Sequence, residues 1–327
     1  MAHYADAPRT ATMTLPAPGA PVANGIRALD RLVWSLIAAV AAVVALAPSA
    51  GFTIQWGSYA APGGAIAVML LIVWFYRSHR PDERIASAME STAQLAAFAA
   101  VGAPLSYMAA HFALPLQDRL FDTIDKTLGL DWLALLAWMN AHRSVHAVLN
   151  AAYTSFAPQA TITVCVLAFT GRLMRLQVFL LAFVLTTLVT IAISAMLPAE
   201  GVWTHYGLRA DAGSILPISS TSWPVFHGLR DGSFLKLMAS GSEGIITFPS
   251  LHAALGLIFA FALWPVPVLR WFGLALNVLM IVATPIDGSH YFIDVFAGLA
   301  IALMCWLAAR RIADHAARAQ SKISGRP

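Results

Sequence analysis

Residues 176–198 read LQVFLLAFVLTTLVTIAISAMLP, twenty-three positions without one charged side chain. A helix needs about 20 apolar residues to cross the hydrocarbon core of a bilayer. This stretch is long enough, and it is flanked by Arg172 and Arg175 on one side and Glu200 on the other. It predicts a membrane span, and the rest of the chain repeats the pattern.

Seven more segments qualify or nearly qualify: about 31–49, 59–76, 91–114, 146–170, 250–267, 270–286 and 290–309. The second and seventh of the eight are short. The whole chain is 59% hydrophobic and 11% charged, whereas soluble domains carry about 25% charged residues. The expected fold is therefore all-α, a polytopic membrane bundle of about eight spans. Residues 1–30 read as a disordered cytoplasmic tail, 31–310 as one transmembrane domain and 311–327 as a basic cytoplasmic tail. Ala47-Pro48-Ser49-Ala50 loosely resembles a signal-cleavage site, but an uncleaved first span fits better.

The basic residues orient the bundle. With both ends inside, the outer segments hold Arg119, Lys126, Arg143, Arg209, Arg230 and Lys236, and the other 14 of the 20 Lys and Arg residues lie inside. Every short inner loop is basic, as the positive-inside tendency requires. This predicts an inner (cytoplasmic) membrane protein with cytoplasmic termini. The net charge of +4 then reflects basic loops rather than a nucleic-acid surface. Cys165 and Cys305 both fall within apolar runs, which argues against a disulfide or a metal cluster.

Two outer segments are long. Residues 115–145 read as a surface helix, with Asp122, Asp125, Leu128 and Trp132 about one turn apart and Trp132 and Trp138 suited to the interface. Residues 199–249 read as a polar loop, and loops of that length are commonly functional or disordered.

Phe248-Pro249-Ser250-Leu251-His252 lies where that loop meets the sixth span. Pro249 and Ser250 are helix-start residues, and a helix N-terminus suits an anion such as phosphate. Gly288-Ser289-His290-Tyr291-Phe292-Ile293-Asp294 opens the eighth span. His290 and Asp294 are four apart and share a helix face. A carboxylate there can fix the imidazole tautomer and free the other nitrogen to attack. An ionised Asp294 within an apolar helix is costly unless paired, which argues for a purpose. The topology places both histidines on the external face, where two imidazoles could flank one phosphate. His205 and His227 have no spaced partners and read as loop histidines. Arg230 and Arg209, in the loop leading to Ser250, are the nearest outer cations for phosphate oxygens. No P-loop, HExxH or carboxylate cluster for magnesium is present, so no cofactor or metal is expected.

Pro249-Ser250-x-His252 followed by His290-x-x-x-Asp294 resembles the type 2 phosphatidic acid phosphatase superfamily. Phe-Pro-Ser-Leu-His with Gly-x-His-Tyr-x-x-Asp is similar to its inositol phosphorylceramide synthase-like branch. The resemblance covers residues 199–305 and touches Leu128-Gly129-Leu130-Asp131-Trp132. It implies a metal-independent phosphatase or phosphotransferase acting on a phospholipid or isoprenoid phosphate. His290 matches the nucleophile, Asp294 its orienting carboxylate, His252 the general acid and Ser250 a phosphate ligand. The superfamily's KxxxxxxRP motif has no counterpart, and its Ser-Arg pair ahead of the nucleophile is here Ala283-Thr284. Head-group transfer from a phospholipid, such as phosphoinositol, to a lipid hydroxyl is the alternative reaction. Rivals of other classes are a membrane transporter and an inactive structural relative. The clustering of candidate groups at one face, with no charge at mid-span, counts against the transporter.

Overall fold

The computed structural model describes residues 20–209 and 214–323, with side chains from residue 25 to residue 319. The stretch 176–198 lies almost entirely in the helix at the centre of the bundle. This helix, α8 in chain order, spans Leu173–Met196. It packs against α1 (Ala20–Ala45), α3 (Glu83–His111), α7 (Phe156–Phe169), α11 (Leu251–Leu263) and α13 (Phe292–Ile323). Leu176, Phe179, Leu180, Leu181, Ala182 and Val184 are all buried, as expected of a helix that is apolar on every side.

Among the described residues, six helices are long and apolar enough to cross a membrane: α1, α2 (Ala60–Ser78), α3, α8, α12 (Leu269–Asp287) and α13. The expected span at 146–170 is two helices, α6 (Arg143–Thr154) and α7, bent by 53°. The expected span at 250–267 is α11, whose 13 residues fall short of a full crossing. The chain is thus a polytopic helical membrane protein, and its described residues hold six helices of spanning length, one bent pair and the shorter apolar helix α11. α2 lies at the bundle's edge, presenting Val68, Leu71 and Trp74 outward.

Several expectations need correction. The tail assigned to 1–30 is already helical from Ala20, because α1 begins there, and its residues 1–19 lie outside the described residues. Helix α13 likewise runs through most of the basic tail, to Ile323, and residues 324–327 lie outside the described residues. The surface helix of 115–145 is two helices, α4 (Asp118–Thr127) and α5 (Trp132–Ala141). Gly129 breaks it in the left-handed region at φ +73, where glycine carries no Cβ penalty. Trp132 is buried and donates its indole N–H to the Pro285 carbonyl at 2.8 Å, rather than marking an interface.

The long loop is largely structured. It holds α9 (Val202–His205), α10 (Trp223–Asp231) and a two-residue strand, β2 (Lys236–Leu237). This strand pairs in parallel with β1 (Thr53–Ile54), from the connection between α1 and α2. Residues 210–213 of the loop lie outside the described residues.

A charged network joins the first three helices. Arg77 on α2 lies 2.6 Å from Glu90 on α3, 3.5 Å from Asp30 on α1 and 3.6 Å from Glu83. Trp34 also donates to Glu90, at 3.2 Å. Three helices thus share one guanidinium among carboxylates. Asp30 and Glu90 are buried and Arg77 is half-buried, so the loss of the guanidinium leaves two buried carboxylates unpaired; about 3–5 kcal/mol, the cost typical of a fully buried pair, is the upper bound. Arg77→Met is therefore expected to lower the thermal-unfolding midpoint of the detergent-solubilised protein sharply. Adding Glu90→Gln to Arg77→Met should recover part of the loss. An unchanged midpoint in the single variant would show that the network does not hold these helices.

Candidate active site

The site forms where α11 and α13 begin side by side. Ser250 caps α11, its Oγ accepting the Ala253 N–H at 3.3 Å. Its own N–H donates to the main-chain carbonyl of Asp294 at 3.0 Å. Gly298, one turn further along α13, leaves room for this approach. A Cβ there would sit 2.3 Å from the Ser250 carbonyl oxygen. The first turns of the two helices are therefore locked together, carrying His252 and the Asp294 side chain with them.

His290 sits just ahead of α13 on a tight piece of chain. Ser289 adopts φ +56, held by loop N–H groups: Val202 donates to its carbonyl at 3.0 Å and Trp203 to its Oγ at 2.9 Å. Gly288 makes space for the imidazole, since a Cβ there would lie 2.3 Å from His290 Cδ2. His290 Nδ1 is 3.3 Å from Asp294 Oδ2, which also accepts the Tyr291 N–H at 2.9 Å. Both His290 and Asp294 are buried. An Nδ1 proton shared with the carboxylate leaves Nε2 with its lone pair.

His252 lies between aromatic rings. Tyr153 stacks on it with centroids 4.2 Å apart, and Phe156 approaches at 4.7 Å. His252 and His290 line one cavity of about 290 Å³, together with Tyr153, Phe156 and Gly288. The two histidines expected to work together thus meet in one space.

The expected phosphate ligands do not meet there. Ser250 is fully buried as the cap and is absent from the cavity wall. Arg230 turns away, donating to the Leu114 carbonyl at 2.9 Å, and Arg209 is exposed. Neither lines the cavity, and among the described residues no Lys or Arg does. The loop histidines pair at a distance with acids, His205 with Asp122 at 3.9 Å and His227 with Glu200 at 3.7 Å.

Sequence reasoning missed a second set of residues. His146 and Asn150 on α6 each place a nitrogen 3.0 Å from Asp287 Oδ1, at the end of α12. Tyr153 follows on the same face of α6, seven residues after His146. This face ties the chain entering His290 to the ring stacked on His252. The i, i+4, i+7 spacing was the available signal.

The acids of α4 brace the site from outside. Asp118 accepts the Glu200 and Gly201 N–H groups at 3.1 and 3.0 Å, and the Tyr291 hydroxyl at 3.0 Å. Asp125 accepts the N–H groups of Phe292 and Ile293, at 2.7 and 2.9 Å, capping α13. Burial pushes the Asp125 carboxyl up, and those two N–H groups oppose the shift. Asp122 accepts the Tyr206 hydroxyl and pairs with Lys126.

Gly288→Ala tests the geometry directly. The added methyl must displace the His290 ring. Turnover is expected to fall at least ~10²-fold, the scale of a 1 Å misplacement, while the helical circular dichroism stays unchanged. Wild-type turnover in this variant would refute the placement of His290.

Comparison with known proteins adds the family. No curated protein and no solved structure matches the chain. A family model described as PAP2 superfamily matches residues 119–308, more than half of the chain and all of the site described above except Asp118. The broken span, the short helix and the two histidine-bearing helix starts all fall within that match, and the chain belongs to the PAP2 superfamily.

Proposed function

We propose that this protein is a metal-independent lipid phosphatase or phosphotransferase working through a phosphohistidine at His290. The observation that carries the reading is the convergence of His252 and the Asp294-oriented His290 on one cavity. Membership of the PAP2 superfamily supports phosphatase or phosphotransferase chemistry on lipid phosphoesters.

In this reading Asp294 holds the Nδ1 proton of His290, and the Nε2 lone pair attacks phosphorus. The bond from phosphorus to the leaving oxygen breaks as protonated His252 gives that oxygen its proton. General acid help of this kind typically contributes about 10²–10⁴ in rate. Water, or a lipid hydroxyl, then gives its proton to His252 and displaces His290. Water completes a phosphatase cycle. A lipid hydroxyl completes a transferase cycle, the route that the inositol phosphorylceramide synthase-like motif suggests. The phosphate would lie against the first turn of α11, where the helix dipole favours an anion. Ser250 would serve as the cap that builds this turn, and Arg230 and Arg209 would act outside the cavity.

The excess of basic residues in the other loops supports a site facing the external side of the inner membrane, with both termini cytoplasmic. A thiol reagent that cannot cross the membrane is expected to label Ser233→Cys in intact cells and spare Ser78→Cys. The reverse pattern would invert the topology.

Purified protein given a phospholipid labelled at phosphorus should form an acid-labile, base-stable adduct. His290→Ala should abolish the adduct, and EDTA should leave turnover intact. An adduct that persists in His290→Ala would sink the mechanism. Product analysis separates the two cycles, since free phosphate marks a phosphatase and a new phospholipid marks a transferase.

A further inference from the structure

The cavity is amphiphilic along its length. Its floor is the edge-to-face pair Phe98 and Phe183, from the middles of α3 and α8. Its mouth is polar, formed by Ser219, Ser242 and Glu243. The histidines stand where α11 and α13 begin. A lipid fits this order, with its chain against the phenylalanines, its phosphorus at the histidines and its head group at the mouth.

The charge at that mouth is unusual for a phosphate site. Among the described residues, Glu243 is the one acid on the cavity wall, and no Lys or Arg lies on that wall. It is held from two sides: its N–H donates to the Tyr107 hydroxyl at 2.7 Å, and its carboxylate accepts the Thr221 hydroxyl at 3.1 Å. A phosphate monoester would bring up to two negative charges into a cavity that offers a carboxylate and no guanidinium. An anionic or neutral head group would leave the phosphate charge equally unanswered. A head group with a positive nitrogen reverses both problems. It sets its cation against Glu243 and enters with no net charge, so less charge has to leave water.

We infer that the cavity takes a zwitterionic phosphodiester lipid, with Glu243 selecting the cationic nitrogen of its head group. The inference rests on the reading of His290 and His252 given above and narrows its substrate. His290 Nε2 forms the bond to phosphorus, and the bond from phosphorus to the lipid alcohol breaks. That alcohol oxygen takes the proton from His252, and the head group stays on phosphorus as a phosphohistidine diester. The acceptor hydroxyl then returns a proton to His252 while its oxygen displaces His290. The site's histidines end as they began, and no further reactant is needed.

The test uses the full chain in lipid nanodiscs. Phosphorus-labelled phosphatidylcholine, phosphatidylethanolamine, phosphatidic acid and phosphatidylinositol are supplied separately. One of the two zwitterionic lipids is expected to exceed both anionic lipids by about 10-fold or more in kcat/KM, the scale of one well-placed charge contact. Glu243→Gln should erase most of that preference, and Glu243→Lys should reverse it. Preference by the wild-type protein for phosphatidic acid or phosphatidylinositol overturns the inference without any variant. So does a preference that neither substitution moves. These failures leave the histidine mechanism standing. If none of the four lipids leaves phosphorus on His290, the mechanism falls, and this inference falls with it.

Discussion

The contact on which the site depends is the close approach of α11 to α13 at Gly298. In lipid there is little hydrophobic drive to press helices together, so close packing relies on small residues and hydrogen bonds between backbones. Here both act at one point. Gly298 admits the Ser250 carbonyl, and Ser250 donates to the Asp294 carbonyl. Asp294 then serves two ends of the site. Its main chain fixes the start of α11, and its side chain faces His290. A shift of either helix would move His252 and His290 apart, because neither imidazole sits on a flexible segment of its own.

The outer scaffold solves a different problem. Loops that approach a membrane bundle carry N–H groups that water does not fully reach. Helix α4 meets them with carboxylates at i, i+4 and i+7: Asp118 for residues 200 and 201, Asp122 for Tyr206 and Asp125 for the start of α13. Hydrogen bonds to charged groups contribute about 1.5–3 kcal/mol each, more than neutral ones. This helix therefore fixes both the loop that clamps Ser289 and the turn that follows His290. The acids of α4 thus act at the site without entering the cavity.

Much of this was legible in the sequence, for reasons specific to each element. The central helix was plain because 176–198 lacks charge over a full membrane thickness. The pairing of His290 with Asp294 was plain because four residues make one turn. Where the sequence misled, long-range geometry decided. Arg230 has the right sign and lies near Ser250 in sequence, yet its guanidinium goes to a carbonyl 116 residues earlier. Asp287 meets His146 and Asn150 across 141 and 137 residues, so only half of that contact, the spacing along α6, was readable. Asp30 and Glu90 lay at the margins of expected spans, where hydropathy reads them as ends. In the bundle they surround Arg77.

The short helix bears on the charge at the site. Thirteen residues make a helix of about 20 Å, while the hydrocarbon core is about 30 Å thick. If α11 ends near one boundary, its first turn starts roughly 10 Å inside the other. A guanidinium at that depth would need a partner whenever the cavity stood empty, as the acids gathered around the half-buried Arg77 illustrate. A cavity wall without arginines avoids that burden in the resting state. In the proposed mechanism the positive charge for the phosphate would arrive with the substrate or with a proton on His252. The depth of α11 and the absence of arginines from the cavity wall thus share one physical cause.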